Sequence, residues 1–222
     1  MAETVSTVRV EPGEIDFKAE LLRKSIHLCS LSIPVIYYYV SRETALLLLV
    51  PVTMAFLIVD VLRYLHVSTA KWFYLVFGKL LRRHEKNART RTLNGATYVL
   101  LSATLCVIFF PKLIVITSFA ILIISDTAAA LIGRRFGRHK FYHKSAEGSL
   151  AFVLSAFAVV LLTPKAGYMP MEYVIGAIGA VVGALAEILS YNILDDNVAI
   201  PLSIGCAMWL LYAWQLPMLN LN

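Results

Sequence analysis

Apolar residues run along this chain in long blocks separated by short polar links, and the blocks are too long for the strands of a soluble domain. Reading for spans of roughly 16 to 22 apolar residues gives seven, at about 24–40, 44–64, 95–110, 112–132, 149–163, 172–194 and 197–214. This pattern predicts an all-α, polytopic membrane protein with about seven transmembrane helices. A further stretch, 67–83, mixes aromatic and aliphatic residues with Lys71, Lys79, Arg82 and Arg83, and reads as an interfacial helix. Residues 1–17 form a polar tail ahead of a single membrane domain over 18–222.

Composition supports the pattern. With 59% hydrophobic and 15% charged residues, the chain has no room for a conventional soluble surface. No cleavable signal pattern precedes the first run, which is therefore expected to stay in the protein. Cys29, Cys106 and Cys206 lie scattered inside apolar runs and read as buried small hydrophobes. Basic residues from Arg63 to Arg91 crowd the link between spans two and three, and another basic group fills the link between spans four and five. The opposite links hold only Arg42, Lys112 and Lys165. Positive charge stays on the cytoplasmic side, so both basic links and the N-terminus are expected inside and the C-terminus outside. The expected partner surface is a membrane, not a nucleic acid.

Against this apolar background the buried polar groups stand out. Asp126 follows the run Leu113 to Ile124, and an acid at a bilayer centre costs roughly 2.5 to 3.5 kcal/mol. It reads as an unpaired acid that needs a reason. The segment after it supplies Arg134, Arg135, Arg138, Lys140 and Lys144 with Gly133, Gly137 and Gly148 and a single acid, Glu147. That is the composition of a phosphate cradle, although its spacing is not that of a Walker A loop. Glu20, Arg23, Lys24 and His27 fall at i, i+3, i+4 and i+7, one charged stripe on a helix entering the membrane. The stripe serves either a site or simple snorkelling with His27 as a core histidine. Pro34 is expected to kink that helix.

Asp60 and Arg63 read as an i, i+3 pair near the cytoplasmic end of span two. Asn94 opens span three either as an N-cap or, with Arg91, as part of a phosphate site. Glu187 lies inside span six, whose Gly176, Gly179 and Gly183 permit close helix contact, and Asp195, Asp196 and Asn197 follow two turns later. Counted from the outer ends of their spans, His27, Asp126 and Glu187 are each about 13 or 14 residues deep, roughly 20 Å. One shared depth suggests one site.

Three separated motifs now stand in order: ExxRKxxH from Glu20 to His27, DxxxxxxGxxxG with KSxEGS from Asp126 to Ser149, and a Glu followed by DDNxxIP from Glu187 to Pro201. Together they resemble the CTP-dependent lipid kinases, a grouping of dolichol kinase, phytol kinase and the CTP-using diacylglycerol kinase. The resemblance covers about residues 20–205. It implies transfer of the γ-phosphoryl group of a nucleoside triphosphate, typically CTP, to the hydroxyl of a lipid alcohol, either an isoprenoid alcohol or diacylglycerol. It also implies that Arg23, Lys24, Asp126 and Gly133 are the essential positions. Many members have Gly-Asp where this chain has Ser125-Asp126.

Phosphoryl transfer is mostly positioning and charge neutralisation, so the site needs carboxylates for Mg²⁺, cations for phosphate oxygens and a group to take the alcohol proton. Asp126 and Glu187, with Asp195, Asp196 or Asn197, are the metal candidates. Arg23, Lys24, Arg134, Lys140 and Lys144 are the phosphate clamps, with Gly133, Gly137, Ser145, Glu147, Gly148 and Asn94 around them. The proton acceptor is His27 or one of the carboxylates. Two rivals remain. Phosphatidate cytidylyltransferases have a similar Lys-Ser/Thr-x-Glu-Gly segment, but their closing HGG and DRxD signature is missing after residue 150. An ion-coupled transporter would need polar access from both sides, whereas these groups gather toward one.

Overall fold

The computed structural model describes residues 17–77, 92–142, 144–190 and 194–221. The first sixteen residues of the tail, and the basic cluster Lys79, Arg82, Arg83, Lys86, Arg89 and Arg91, lie outside these. Nine helices are found among the described residues: α1 (Phe17–Cys29), α2 (Ser32–Tyr39), α3 (Arg42–Leu65), α4 (Val67–Phe77), α5 (Gly95–Phe109), α6 (Lys112–Phe136), α7 (Ala146–Leu162), α8 (Pro170–Leu189) and α9 (Asp196–Gln215). Between α6 and α7 sits a two-residue antiparallel ladder, β1 (Lys140–Phe141) with β2 (Lys144–Ser145), pairing Lys140 with Ser145.

Each of the seven apolar runs is helical, but they differ in length. By length and composition α3, α6, α8 and α9 are able to cross a membrane, while α5 and α7 are shorter apolar helices. The first run is two helices. Pro34 has no N–H, and its ring collides with the carbonyl four residues back, so the α-helical ladder gives way to a turn at Ser30 and Leu31. Helix α4 coincides with the described part of the expected interfacial segment, whose residues 78–83 lie outside the described set.

Helix α6 is the axis of the bundle. It packs on α1, α2, α5, α7, α8 and α9, and its side chains from Ile114 to Ile123 are all buried. Helix α3 sits at the edge, against α4 and α5, with most of its leucines and valines exposed to the surrounding apolar phase. The same holds for Cys29 and Cys206, which are exposed; only Cys106 is buried as expected. Compositional reading cannot tell a lipid-facing helix surface from a core-facing one, because both are apolar.

The helix ends opposite the basic hairpin are tied by their few charges. Lys112 donates to the Val40 carbonyl (2.8 Å), Arg42 to that of Ile108, and Lys165 to those of Val160 and Thr163 (both 2.6 Å). Buried Glu172 accepts from the amides of Ala166, Gly167 and Met169 (2.8, 2.8 and 3.0 Å), fixing the loop before α8. Each cation ends a helix whose last carbonyls lack partners.

Candidate active site

Helix α1 lays its charged stripe against α6. The Lys24 ammonium, 1% exposed, bonds the Asp126 carboxylate, and His27 Nε2 lies 3.6 Å from the same Asp126 oxygen. Asp126 is therefore a paired acid, which corrects the expectation of an unpaired one. One turn earlier, Arg23 grips Glu20 through two bonds (2.6 and 3.1 Å), and Arg134 approaches Glu20 at 3.7 Å. Burial works against the charge of Glu20, but Arg23, Lys24 and Arg134 hold its carboxyl below its ordinary value. The stripe thus faces α6 and is not left to snorkel.

On the other side of Asp126, the hairpin places Lys144 between α8 and α9. Its ammonium lies 2.7 Å from Glu187 and 3.2 Å from Asp196. Burial opposes that charge, yet Asp196, Glu187 and Asp126 around it hold the ammonium above its ordinary range. Ser190, the C-cap of α8, donates to the second oxygen of Asp196. Ser190 escaped the sequence reading, although its position three residues after Glu187 puts it on the same helix face. Asp195 caps α9, accepting from the Asn197 amide (3.0 Å) and side chain (2.6 Å).

The glycines of the basic segment are explained by packing. A Cβ on Gly148 would meet the Ala129 carbonyl at 2.9 Å and Gly133 Cα at 3.2 Å, so α6 and α7 cross backbone to backbone. A Cβ on Gly133 or Gly137 would lie 2.8 Å from the Ser145 hydroxyl. Ser145 itself caps α7, accepting from the Gly148 amide (3.1 Å). Glu147 accepts from the His139 amide (3.2 Å) and contacts its ring at 2.8 Å, which closes the hairpin base. Arg134, Arg135, Arg138 and Lys140 stay exposed along this rim, where an anionic ligand can reach them.

Asn94 is an N-cap: its carbonyl oxygen accepts from Ala96 (2.8 Å) and Thr97 (3.1 Å), so those two amides are taken. Asp60 accepts from both the amide and the side chain of Asn94 (2.8 and 2.9 Å) and pairs with Arg63 (2.9 Å). Arg63 in turn reaches Tyr64 and the Thr92 carbonyl (both 2.8 Å) beneath the Phe73 ring. This buried group locks α3, α4 and α5 together.

Among the described residues no three His, Cys, Asp or Glu side chains converge as a protein-only metal cage. Mg²⁺ does not need one, since it is usually bound by one or two carboxylates plus substrate phosphates and water. Glu187 offers a buried Oε2 without a hydrogen bond, and Asp196 stands across the Lys144 ammonium from it. These donors fit such an ion.

Fold and site together define an α-helical membrane protein with a buried, charge-paired polar centre formed by α1, α6, the hairpin, the C-terminal end of α8 and the start of α9. The chain belongs to the same family as an uncharacterized protein of Rickettsia prowazekii (strain Madrid E), 37% identical over 190 residues that make up 85% of this chain and 92% of that one. It is similar to CTP-dependent diacylglycerol kinase 1 of Schizosaccharomyces pombe, 28% identical over 68% of this chain and 74% of the kinase. It is also similar to the phytol kinase of Synechocystis, 35% identical over 38% of each chain. No family model matches the chain, and no solved structure matches it.

Proposed function

We propose that this protein is an integral membrane kinase that moves the γ-phosphoryl group of CTP to the hydroxyl of a lipid alcohol. The observation that carries the reading is the convergence of Lys24, His27 and Asp126 with Lys144, Glu187 and Asp196 around one buried centre bordered by an exposed basic rim. Diacylglycerol is the first substrate to test, because similarity to a kinase of that name extends over two thirds of the chain, whereas similarity to the phytol kinase covers little more than a third.

The arrangement supplies what an in-line phosphoryl transfer needs. Arg134 and Lys140 on the rim draw in the triphosphate, and Lys24 and Lys144 offset charge on the transferring group. His27, whose Nε2 lies 3.6 Å from Asp126, accepts the alcohol proton as the lipid oxygen bonds the γ-phosphorus and the bond to the β–γ bridging oxygen breaks, releasing CDP. Asp126, Glu187 and Asp196 would hold Mg²⁺, which would neutralise phosphate charge when bound. The site faces the cytoplasm, with the N-terminus on that side and the C-terminus opposite, in keeping with the distribution of basic residues.

The test uses purified protein and CTP labelled in either the γ or the α phosphate, with diacylglycerol, phytol, dolichol and undecaprenol as acceptors. The expected result is γ-label in a lipid monophosphate with CDP released. Label from the α position in a CDP-lipid, with pyrophosphate released, would make the protein a cytidylyltransferase instead.

A further inference from the structure

Lys144 occupies an unusual place for a phosphate-binding lysine. Its ammonium does not project toward the exposed rim with Lys140, but is drawn inward between two carboxylates from different helices. Glu187 is 3% exposed, and its Oε2 has no hydrogen bond. Asp196 is bound on its far side by Ser190. A single +1 ion therefore stands between oxygens from Glu187 and Asp196 and leaves one buried carboxylate oxygen of Glu187 unused. Oxygen donors with an excess of negative charge are what a small, hard divalent cation selects.

The lysine is also mounted to move. It is the first residue of β2, on a ladder only two residues long, with Tyr142 in the adjoining turn at φ +52°, a backbone state uncommon for a non-glycine residue. The hairpin is held at its base by the Ala146 amide on the His139 carbonyl (2.9 Å) and by Glu147 on His139. Among the described residues, the contacts that fix the ammonium are those two carboxylates.

We propose that Lys144 is an internal stand-in for the divalent cation: it fills the Glu187–Asp196 site in the resting protein and is displaced when the cation arrives, which frees it to meet the donor's phosphates. This deepens the kinase reading and rests on it for the identity of the donor. The exchange keeps buried Glu187 and partly buried Asp196 neutralised in both states, since a buried carboxylate left without a partner is strongly unfavourable. It also makes cation binding and phosphate binding mutually supporting, because the cation releases the group that the nucleotide attracts.

The experiment needs neither nucleotide nor lipid, so its result is separate from that of the kinase assay. Mn²⁺ binding to the detergent-solubilised full chain is measured by electron paramagnetic resonance for wild type, Lys144→Gln and Lys144→Arg. Lys144→Gln is expected to bind Mn²⁺ about tenfold or more tighter than wild type, as two uncompensated carboxylates become available, while Lys144→Arg stays near wild type. Unchanged affinity in a folded Lys144→Gln would overturn the proposal. Wild type provides a second arm that needs no variant to fold: amine labelling read by mass spectrometry. Labelling of Lys144 should rise severalfold across the Mn²⁺ titration, while that of exposed Lys140 stays constant. Labelling of Lys144 that does not change while Mn²⁺ binds, or absence of any Mn²⁺ binding, would equally sink the exchange.

Discussion

Lys24 on α1 and Asp126 on α6 are 102 positions apart in sequence and form one buried ion pair. The pair makes the docking of α1 and the assembly of the polar centre a single event. A buried pair is weak evidence of net stabilisation, because desolvation offsets much of the attraction, but removing one partner is costly.

The Asp126→Asn variant therefore loses turnover and is also less stable, by about 3 kcal/mol, because Lys24 is left buried without a counter-charge. Lys24→Met is expected to do the same. Thermal unfolding in detergent checks the stability, and the double variant Lys24→Met/Asp126→Leu should recover much of it while remaining inactive. A fully stable Asp126→Asn would show that the pair does not hold α1 in place.

Asp60→Asn provides the contrast. It leaves the buried Arg63 guanidinium short of its carboxylate and should cost about 3 kcal/mol, yet Asp60 bonds Asn94 and Arg63, not the centre around Asp126. Turnover per folded molecule, corrected by size-exclusion recovery, is expected to stay within a factor of a few of wild type.

Gly148→Ala and Gly133→Ala separate packing from chemistry. At Gly148 the new methyl group meets the Ala129 carbonyl, which cannot rotate away, and a loss of about 1 to 3 kcal/mol is expected. At Gly133 the obstacle is the Ser145 hydroxyl, which can turn, although its bond to the Gly148 amide is then strained. The Gly133 variant should unfold at the higher temperature of the two.

Glu147 gives a pH signature at the hairpin. Bonds from its own backbone amide and from His139 hold this half-buried carboxyl down at about 2, against an ordinary 4.5. The stabilisation this provides is complete above pH 4.5, the unfolded-state value, and is lost as pH falls toward 2. Hydrogen exchange at residues 138–146 should be faster in Glu147→Gln than in wild type at neutral pH, and the difference should close over that window.

A cysteine at position 138, in a chain whose own three cysteines are replaced, tests the orientation. Membrane-impermeant maleimide is expected to reach it in inside-out vesicles and not in intact cells. Labelling in intact cells would reverse the topology proposed from the basic links.

Periodicity and charge made the helical frame legible, and the spacing of Glu20, Arg23, Lys24 and His27 showed which face of α1 mattered. Equal depth of His27, Asp126 and Glu187 brought the right helices to one level, because rise per residue is nearly constant along a helix. The partners of each charge were not legible. The Lys24–Asp126 and Lys144–Glu187 pairs join separate elements, and no local pattern encodes which cation meets which acid. The glycines read as a phosphate cradle because close helix crossing and loop flexibility draw on the same residue type. Asn94 was open between two uses of the same free amides, and only the Asp60 contact from α3 shows how firmly its cap is held.

The shortness of α5 and α7 has a mechanical effect on the surrounding lipid. At 15 and 17 residues they are about 22 and 26 Å long, against a hydrocarbon core of about 30 Å. Both begin at the end of the bundle where Asn94 and Ser145 cap them, so in a bilayer hydrophobic matching would draw the lipid inward beside the polar centre. An acceptor alcohol floating at the headgroup boundary would then arrive already lowered toward the reacting groups, without leaving its leaflet. If the protein is the proposed kinase, host membrane thickness would then set its rate: reconstitution into progressively longer-chain lipids should depress turnover even where acceptor, CTP and Mg²⁺ are all saturating.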